Sequence, residues 1–169
     1  MNVNELPPMN LDTSETGCCP RFHPEHWQHQ TIQFDQKPFV RANTFNLMHI
    51  PLNMGSVIKK TWDAVKKADA DTKDSYLILS RDPSPWVGEH NFAVTKEVEG
   101  LANVKLTGTY FTKVFEGPYQ NAGKWIEELK TAVKEQGSEA KEIYFFYTTC
   151  PNCIKKLGKN YVIGFAQIA

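Results

Sequence analysis

No run of apolar residues in this 169-residue sequence approaches the roughly 20 that a membrane-spanning helix needs. Neither sign of charge is in excess, with 19 Lys plus Arg against 19 Asp plus Glu. Without a net field, long-range attraction to nucleic acid or to an anionic membrane is missing, so neither is expected as a partner. Residues 1–17 are polar and acidic and contain Pro7-Pro8. They lack the basic start and apolar centre of a secretory signal, so the cytoplasm is the expected compartment and the four cysteines are expected to be reduced there. Several catalytic signatures are also missing. There is no G-x-S-x-G elbow, no P-loop, no G-x-G-x-x-G and no H-E-x-x-H. Pro24-Glu25-His26 lacks the second histidine that a helical zinc protease requires.

What is present fits one soluble α+β domain. Hydrophobic residues make up 41% and charged residues 22%, and the length suffices for a substantial core. Residues 1–17 read as a flexible tail, and residues 18–30 as an ordered extended segment. Thr31–Asp35 and Phe39–His49 read as strands joined by a turn at Lys37-Pro38. Val57, Ile58, Thr61, Trp62, Val65 and Ala68 recur at helical spacing, opposite Lys59, Lys60, Lys66 and Lys67. Strands are expected at 75–80 and 91–98, with the Pro-containing stretch 81–90 as a loop. Residues 103–116 read as a long strand and 120–136 as a helix with Trp125, Ile126, Leu129, Ala132 and Val133 on one face. Residues 142–149 and 160–168 read as strands, and 150–159 as a loop.

The two halves can be laid over each other. Tyr76 to Pro83 parallels Tyr144 to Pro151, and Ile50-Pro51 parallels Gly117-Pro118. The expected architecture is a duplicated strand–helix–strand–strand unit (SHS2-like), repeat 1 at 31–98 and repeat 2 at 103–168. Its sheet would be mostly antiparallel with the helices on one face.

Cys150-Pro-Asn-Cys153 is a C-x-x-C knuckle whose tight turn can aim two sulfurs at one ion. Zinc takes four such ligands in a tetrahedron, and Cys18 and Cys19 can complete the set. Adjacent cysteines rarely share an ion comfortably, so His23 or His26 is an alternative ligand. Three readings stay open: a structural zinc site, a redox dithiol and unligated thiols. A redox C-x-x-C belongs at the start of a helix after a strand, whereas 150–159 reads as a loop.

For catalysis, Glu116 closes the long strand directly before Gly117-Pro118 and can serve as a general base or a cation anchor. Its counterpart in the other half is His49. Trp86 and Tyr119 lie in loops, where burial is not demanded by periodicity, and with Tyr147 they are the candidate substrate-binding aromatics. A homodimer stays open.

The run Lys113-Val-Phe-Glu-Gly-Pro-Tyr119, followed by an amphipathic helix, resembles the GyrI-like family, also called the AraC-type effector-binding domain. The flanks Cys18-Cys19-Pro-Arg-Phe and Tyr147-Thr-Thr-Cys-Pro-Asn-Cys-Ile-Lys-Lys-Leu-Gly-Lys-Asn-Tyr161 resemble a bacterial subgroup labelled as hydrolases. The resemblance implies a small-molecule pocket between the two repeats for bulky, often cationic or aromatic compounds, which some members hydrolyse and others only sense or sequester; for this chain an apolar or aromatic substrate is expected, held by aromatics such as Trp86 and Tyr119. It also implies an acidic pocket residue on the last strand. Here that strand, Asn160 to Ile168, carries no acid, so any acid or base must come from elsewhere.

Overall fold

Two long strands organise the chain, β1 (Thr31–Leu47) and β5 (Ala102–Glu116). The computed structural model describes residues 1–169 as a mixed α+β protein with seven strands and three α-helices. The chain divides into two compact units, residues 1–35 with 108–169, and residues 36–107. Both long strands cross that division at a residue of positive φ, Gln36 (48°) in β1 and Gly108 (152°) in β5. Gly108 is suited to this because a Cβ there would lie 2.6 Å from Gln167 Nε2 and 2.8 Å from the Ala169 carbonyl. The expected turn at Lys37-Pro38 is therefore not a chain reversal: one 17-residue strand runs through it.

In the first unit, β7 (Tyr161–Gln167) lies between β5 and β6 (Ile143–Tyr147), antiparallel to both. Strand alternation separates the side chains by face. Phe111, Phe115, Phe145, Val162 and Ala166 point to one side, where α2 (Ala122–Glu135) buries Trp125, Leu129 and Val133 against them. These three recur at a four-residue step, one stripe of the helix. Phe145 follows the same alternation in facing α2, and Tyr144 and Phe146 face away. The opposite face is also dry. Phe22 and Trp27 from the N-terminal segment pack on Phe146, with ring centroids 6.0 and 5.7 Å away, and Trp27 also reaches Phe165 at 6.1 Å.

That segment is stitched to β5. The Thr112 hydroxyl donates to the Trp27 carbonyl (2.5 Å), the Thr112 amide to the Gln30 carbonyl (2.9 Å), and the Val114 amide to Gln28 Oε1 (2.7 Å). Further upstream, the Asn4 amide donates to the Gln33 carbonyl (2.8 Å), and its side chain exchanges two hydrogen bonds of 2.9 Å with the Asp35 backbone.

The second unit contains the end of β1, β2 (Ile50–Pro51), α1 (Met54–Lys67), β3 (Ile78–Ser84) and β4 (Val87–Ala93). Strand β4 pairs antiparallel with β1 on one side and β3 on the other. Helix α1 buries Thr61 and Val65, Trp62 packs on Phe92, and the core is completed by Val40, Ala70, Val94 and Val98.

Two stretches differ from the expected loops. Residues 81–90 form most of a β-hairpin with its turn at Pro85-Trp86. Pro83 is tolerated in β3 because the register shifts between Arg81 and Ser84, where no ladder bond is demanded. Residues 150–159 contain a third helix, α3 (Pro151–Leu157). Pro151 suits its first position, where no amide partner is needed, and Gly158 ends it at φ 77°.

Gly164 on β7 tests the packing under α2. A Cβ there would sit 2.9 Å from Leu129 Cδ2 and 3.0 Å from Phe115 Cε2. Gly164→Ala is expected to lower unfolding free energy by about 1–3 kcal/mol through overpacking, read by urea denaturation; an unchanged midpoint would mean that the helix–sheet contact is loose.

Candidate metal centre and histidine dyad

The first unit gathers all four cysteines. The Sγ atoms of Cys18, Cys19, Cys150 and Cys153 lie within 4.8 Å of one another, and those of Cys18 and Cys19 are 3.8 Å apart. Tetrahedral zinc, with bonds of about 2.3 Å, sets its sulfur ligands roughly 3.8 Å apart. Cys150 caps α3 and Cys153 lies in its first turn, so the helix holds their spacing. The C-x-x-C therefore does open a helix after a strand, where a loop was expected. Neither His23 nor His26 joins the group; His23 Nδ1 lies 3.4 Å from Glu25 Oε1 instead.

Hydrogen bonds tie the two cysteine segments together and favour ionisation at Cys153 alone. The Cys150 amide donates to Cys19 Sγ (3.4 Å), and the Cys18 amide to Thr16 Oγ1 (3.1 Å). Lys156 Nζ donates to the Thr16 carbonyl (3.2 Å), tying α3 to the segment that carries Cys18 and Cys19. Burial pushes the Cys19 thiol well above its usual range. Desolvation also opposes ionisation of Cys153, but hydrogen bonds from the Cys150 thiol, the Cys19 backbone and Thr16 outweigh it and bring Cys153 down to about 7. Four sulfurs this close cannot all ionise without a compensating cation. The cluster can thus bind a metal ion, and four protein ligands leave no open position for a water.

The remaining predicted residues of the first unit are dispersed. Glu116 is exposed at the end of β5, opposite Tyr161 in the register. Tyr147 is opposite Val162, which also faces Phe115, so register puts Tyr147 and Glu116 on opposite faces. Tyr119 is 53% exposed at the 3-10 turn before α2.

In the second unit, His49 and Trp86 come together. Leu47 pairs with Ile50, leaving Met48 and His49 as a two-residue turn with φ of 49° and 68°. Two consecutive positive φ values make this a type I′ geometry, which favours Asn-Gly. Met48 in particular adopts it at a steric cost of about 1–2 kcal/mol. The hairpin leans on the β3–β4 turn through the His49 amide to the Pro85 carbonyl and the Asn46 amide to the Trp86 carbonyl, both 2.8 Å. His49 Nδ1 lies 3.0 Å from Asp82 Oδ2, and Nε2 has no protein partner. Around this pair Phe45, Leu47, Met48, Ile50 and Leu52 are each more than half exposed, with Trp86 at 49%. Exposed apolar side chains are thus concentrated on this hairpin and the turn beside it.

Behind the pair lies a buried polar network absent from the expectations above. His90 is 3% exposed, with Ser80 Oγ 2.7 Å from Nδ1 and Thr44 Oγ1 3.1 Å from Nε2. Thr44 donates to Asn46 Oδ1 (2.9 Å), and Asn46 Nδ2 donates to Asp82 Oδ1 (3.2 Å). On the other face of β4, buried Glu89 takes an ion pair from Arg81 (3.1 Å) and another from Arg41 (3.3 Å). The alternation of Gly88, His90 and Phe92 with Glu89 and Asn91 was the available signal, hidden by reading 81–90 as a loop.

A sequence model of the family described as bacterial hydrolase matches residues 9–168. No curated protein matches the chain.

Burial holds His90 below its ordinary value of 6.5, partly opposed by the Asp82 and Glu89 carboxylates. Below pH 6.5 the unfolded chain takes up a proton that folded His90 refuses, so this residue's contribution falls as pH drops from there toward its folded value, and is constant above. Urea unfolding of wild type and His90→Gln at pH 7.5, 6.5 and 5.5 is expected to show a shallower acid loss in the variant. Parallel curves would mean that the buried ring titrates like an exposed one.

Proposed function

The chain belongs to the bacterial hydrolase family, and on that footing we propose that it hydrolyses a small apolar or aromatic compound, with His49 as general base. The observation that carries this is the His49–Asp82 contact of 3.0 Å beside the exposed apolar hairpin. Donation from Nδ1 to Asp82 leaves Nε2 unprotonated and facing outward. In the reaction, Nε2 takes a proton from water as the water oxygen adds to the electrophilic carbon. Asp82 stabilises the imidazolium without accepting the proton itself. Nε2–H then protonates the leaving group as its bond to carbon breaks. Trp86 and the hairpin side chains would bind the apolar part of the substrate.

Glu116 is the rival base, with Tyr119 near it in sequence, and the likeness to GyrI-like domains and their duplicated fold belongs to this same reading. A non-catalytic sensor or sequestering protein is the alternative, favoured by the absence of an acid on β7. The cysteine cluster we read as a structural zinc site, because its sulfur spacing fits zinc and its ligand set is complete.

A panel of p-nitrophenyl and naphthyl esters and amides tests the reaction. His49→Asn is expected to lower kcat by about 100-fold or more with little change in KM, while Glu116→Gln retains activity. Loss in Glu116→Gln with an active His49→Asn transfers the base to Glu116. Ligand-induced melting shifts with no turnover across the panel would favour the sensor. Replacing Met48-His49 by Asn-Gly is expected to raise the melting temperature while removing turnover, since the turn relaxes as the base is lost.

For the metal, elemental analysis of purified protein is expected to find one zinc per chain. Cys153→Ser should lose the zinc and melt roughly 10 °C lower, because binding free energy is folding free energy at such a site. Metal-free protein whose four thiols all react in the folded state would overturn the zinc reading.

A further inference from the structure

We infer that Asp82 orients a hydrogen-bonded chain running inward through Asn46 and Thr44 to His90 and Ser80, and that Asn46, Thr44 and His90 are positioning residues for the His49–Asp82 pair. Asp82 is the one member of the chain that can only accept. An ionised carboxylate has no proton to give. Asn46 must therefore turn its amide nitrogen to Asp82 Oδ1, which leaves its oxygen facing Thr44. Thr44 must donate to that oxygen, so its own oxygen is left to accept from His90 Nε2. His90 is then the Nε2–H tautomer with Nδ1 bare, and Ser80 donates to Nδ1 at 2.7 Å. Every donor along the chain points toward Asp82, and the direction is set at the surface end.

Burial makes the order strict. Asn46, Thr44 and His90 are at most 3% exposed, so no bulk water can replace a lost partner. Space for the chain is provided by Gly88, which pairs with Thr44 across the β1–β4 ladder. A Cβ at Gly88 would lie 2.3 Å from Thr44 Oγ1, 3.0 Å from His90 Nε2 and 3.2 Å from Asn46 Nδ2. With Asn46 on one carboxylate oxygen and His49 on the other, Asp82 is held at both ends and keeps His49 in the Nδ1–H form.

The kinetic consequence rests on the reading of His49 as general base; the tautomer does not. Nitrogen-15 NMR of the labelled full chain at pH 7.5 is expected to show His90 as Nε2–H. Thr44→Val and Asp82→Ala should mix the two tautomers, whereas Ser80→Ala should leave Nε2–H dominant because control comes from the other end. If Asp82→Ala fails to fold, Asp82→Asn replaces it, since an amide can present either end and releases the same constraint. A dominant Nδ1–H form in wild type, or no change in His90 when Asp82 is altered or Thr44 removed, overturns the inference. If an ester is turned over, Thr44→Val should lower kcat about tenfold at constant KM. Intact tautomer control without any turnover refutes the hydrolase reading alone.

Discussion

The first unit depends on the meeting of four sulfurs from segments 131 residues apart in the case of Cys19 and Cys150. The segment that follows Cys19 has little regular structure of its own, only a 3-10 turn at Pro24–His26. Ordering it costs conformational entropy at every residue. It is held at one end by the cysteines and along its length by the Thr112 and Val114 hydrogen bonds. Because it is held, Phe22 and Trp27 can close the second face of β6 and β7. Without it Phe146 would lose its contacts with Phe22 and Trp27, and Phe165 its contact with Trp27. A metal at the cysteines would therefore act through the aromatic core and not only locally.

The second unit has a different economy. Its three-stranded ladder carries polar residues on both faces of β4, each satisfied by a neighbour: His90 by Ser80 and Thr44, and Glu89 by Arg41 and Arg81. Buried polar groups are tolerable only when their partners are supplied, and here the partners are arranged in sequence so that the surface carboxylate of Asp82 organises the interior. The strained Met48-His49 turn and the exposed apolar hairpin adjoin the outer end of that arrangement. Local strain and exposed apolar area both oppose stability, and their coincidence with a histidine–carboxylate pair is what supports the proposed role of His49.

The mixed α+β class, α1 and α2, and the strands at 31–47, 102–116, 143–147 and 161–167 were largely legible because apolar residues recur with the period of each element. The cysteine set was legible too, since C-x-x-C and Cys18-Cys19 stand out among only four cysteines. What failed were the stretches rich in proline. Pro83, Pro85 and Gly88 suggested a loop at 81–90, and Lys37-Pro38 a turn inside what is one continuous strand. Proline's meaning depends on whether its missing amide proton is needed, and that depends on the neighbouring strand or on helix position.

By itself, the sequence determined the periodic elements, the number of soft metal ligands and the lack of familiar catalytic signatures, because these are properties of local pattern and residue type. Only the tertiary structure decided that all four sulfurs converge without a histidine, that Glu116 and Tyr147 face apart, and that His49 meets Asp82 with a polar chain behind it. Those outcomes rest on strand register and pairing. One residue of register reverses every side chain's face, and no local pattern specifies which strand will be the neighbour.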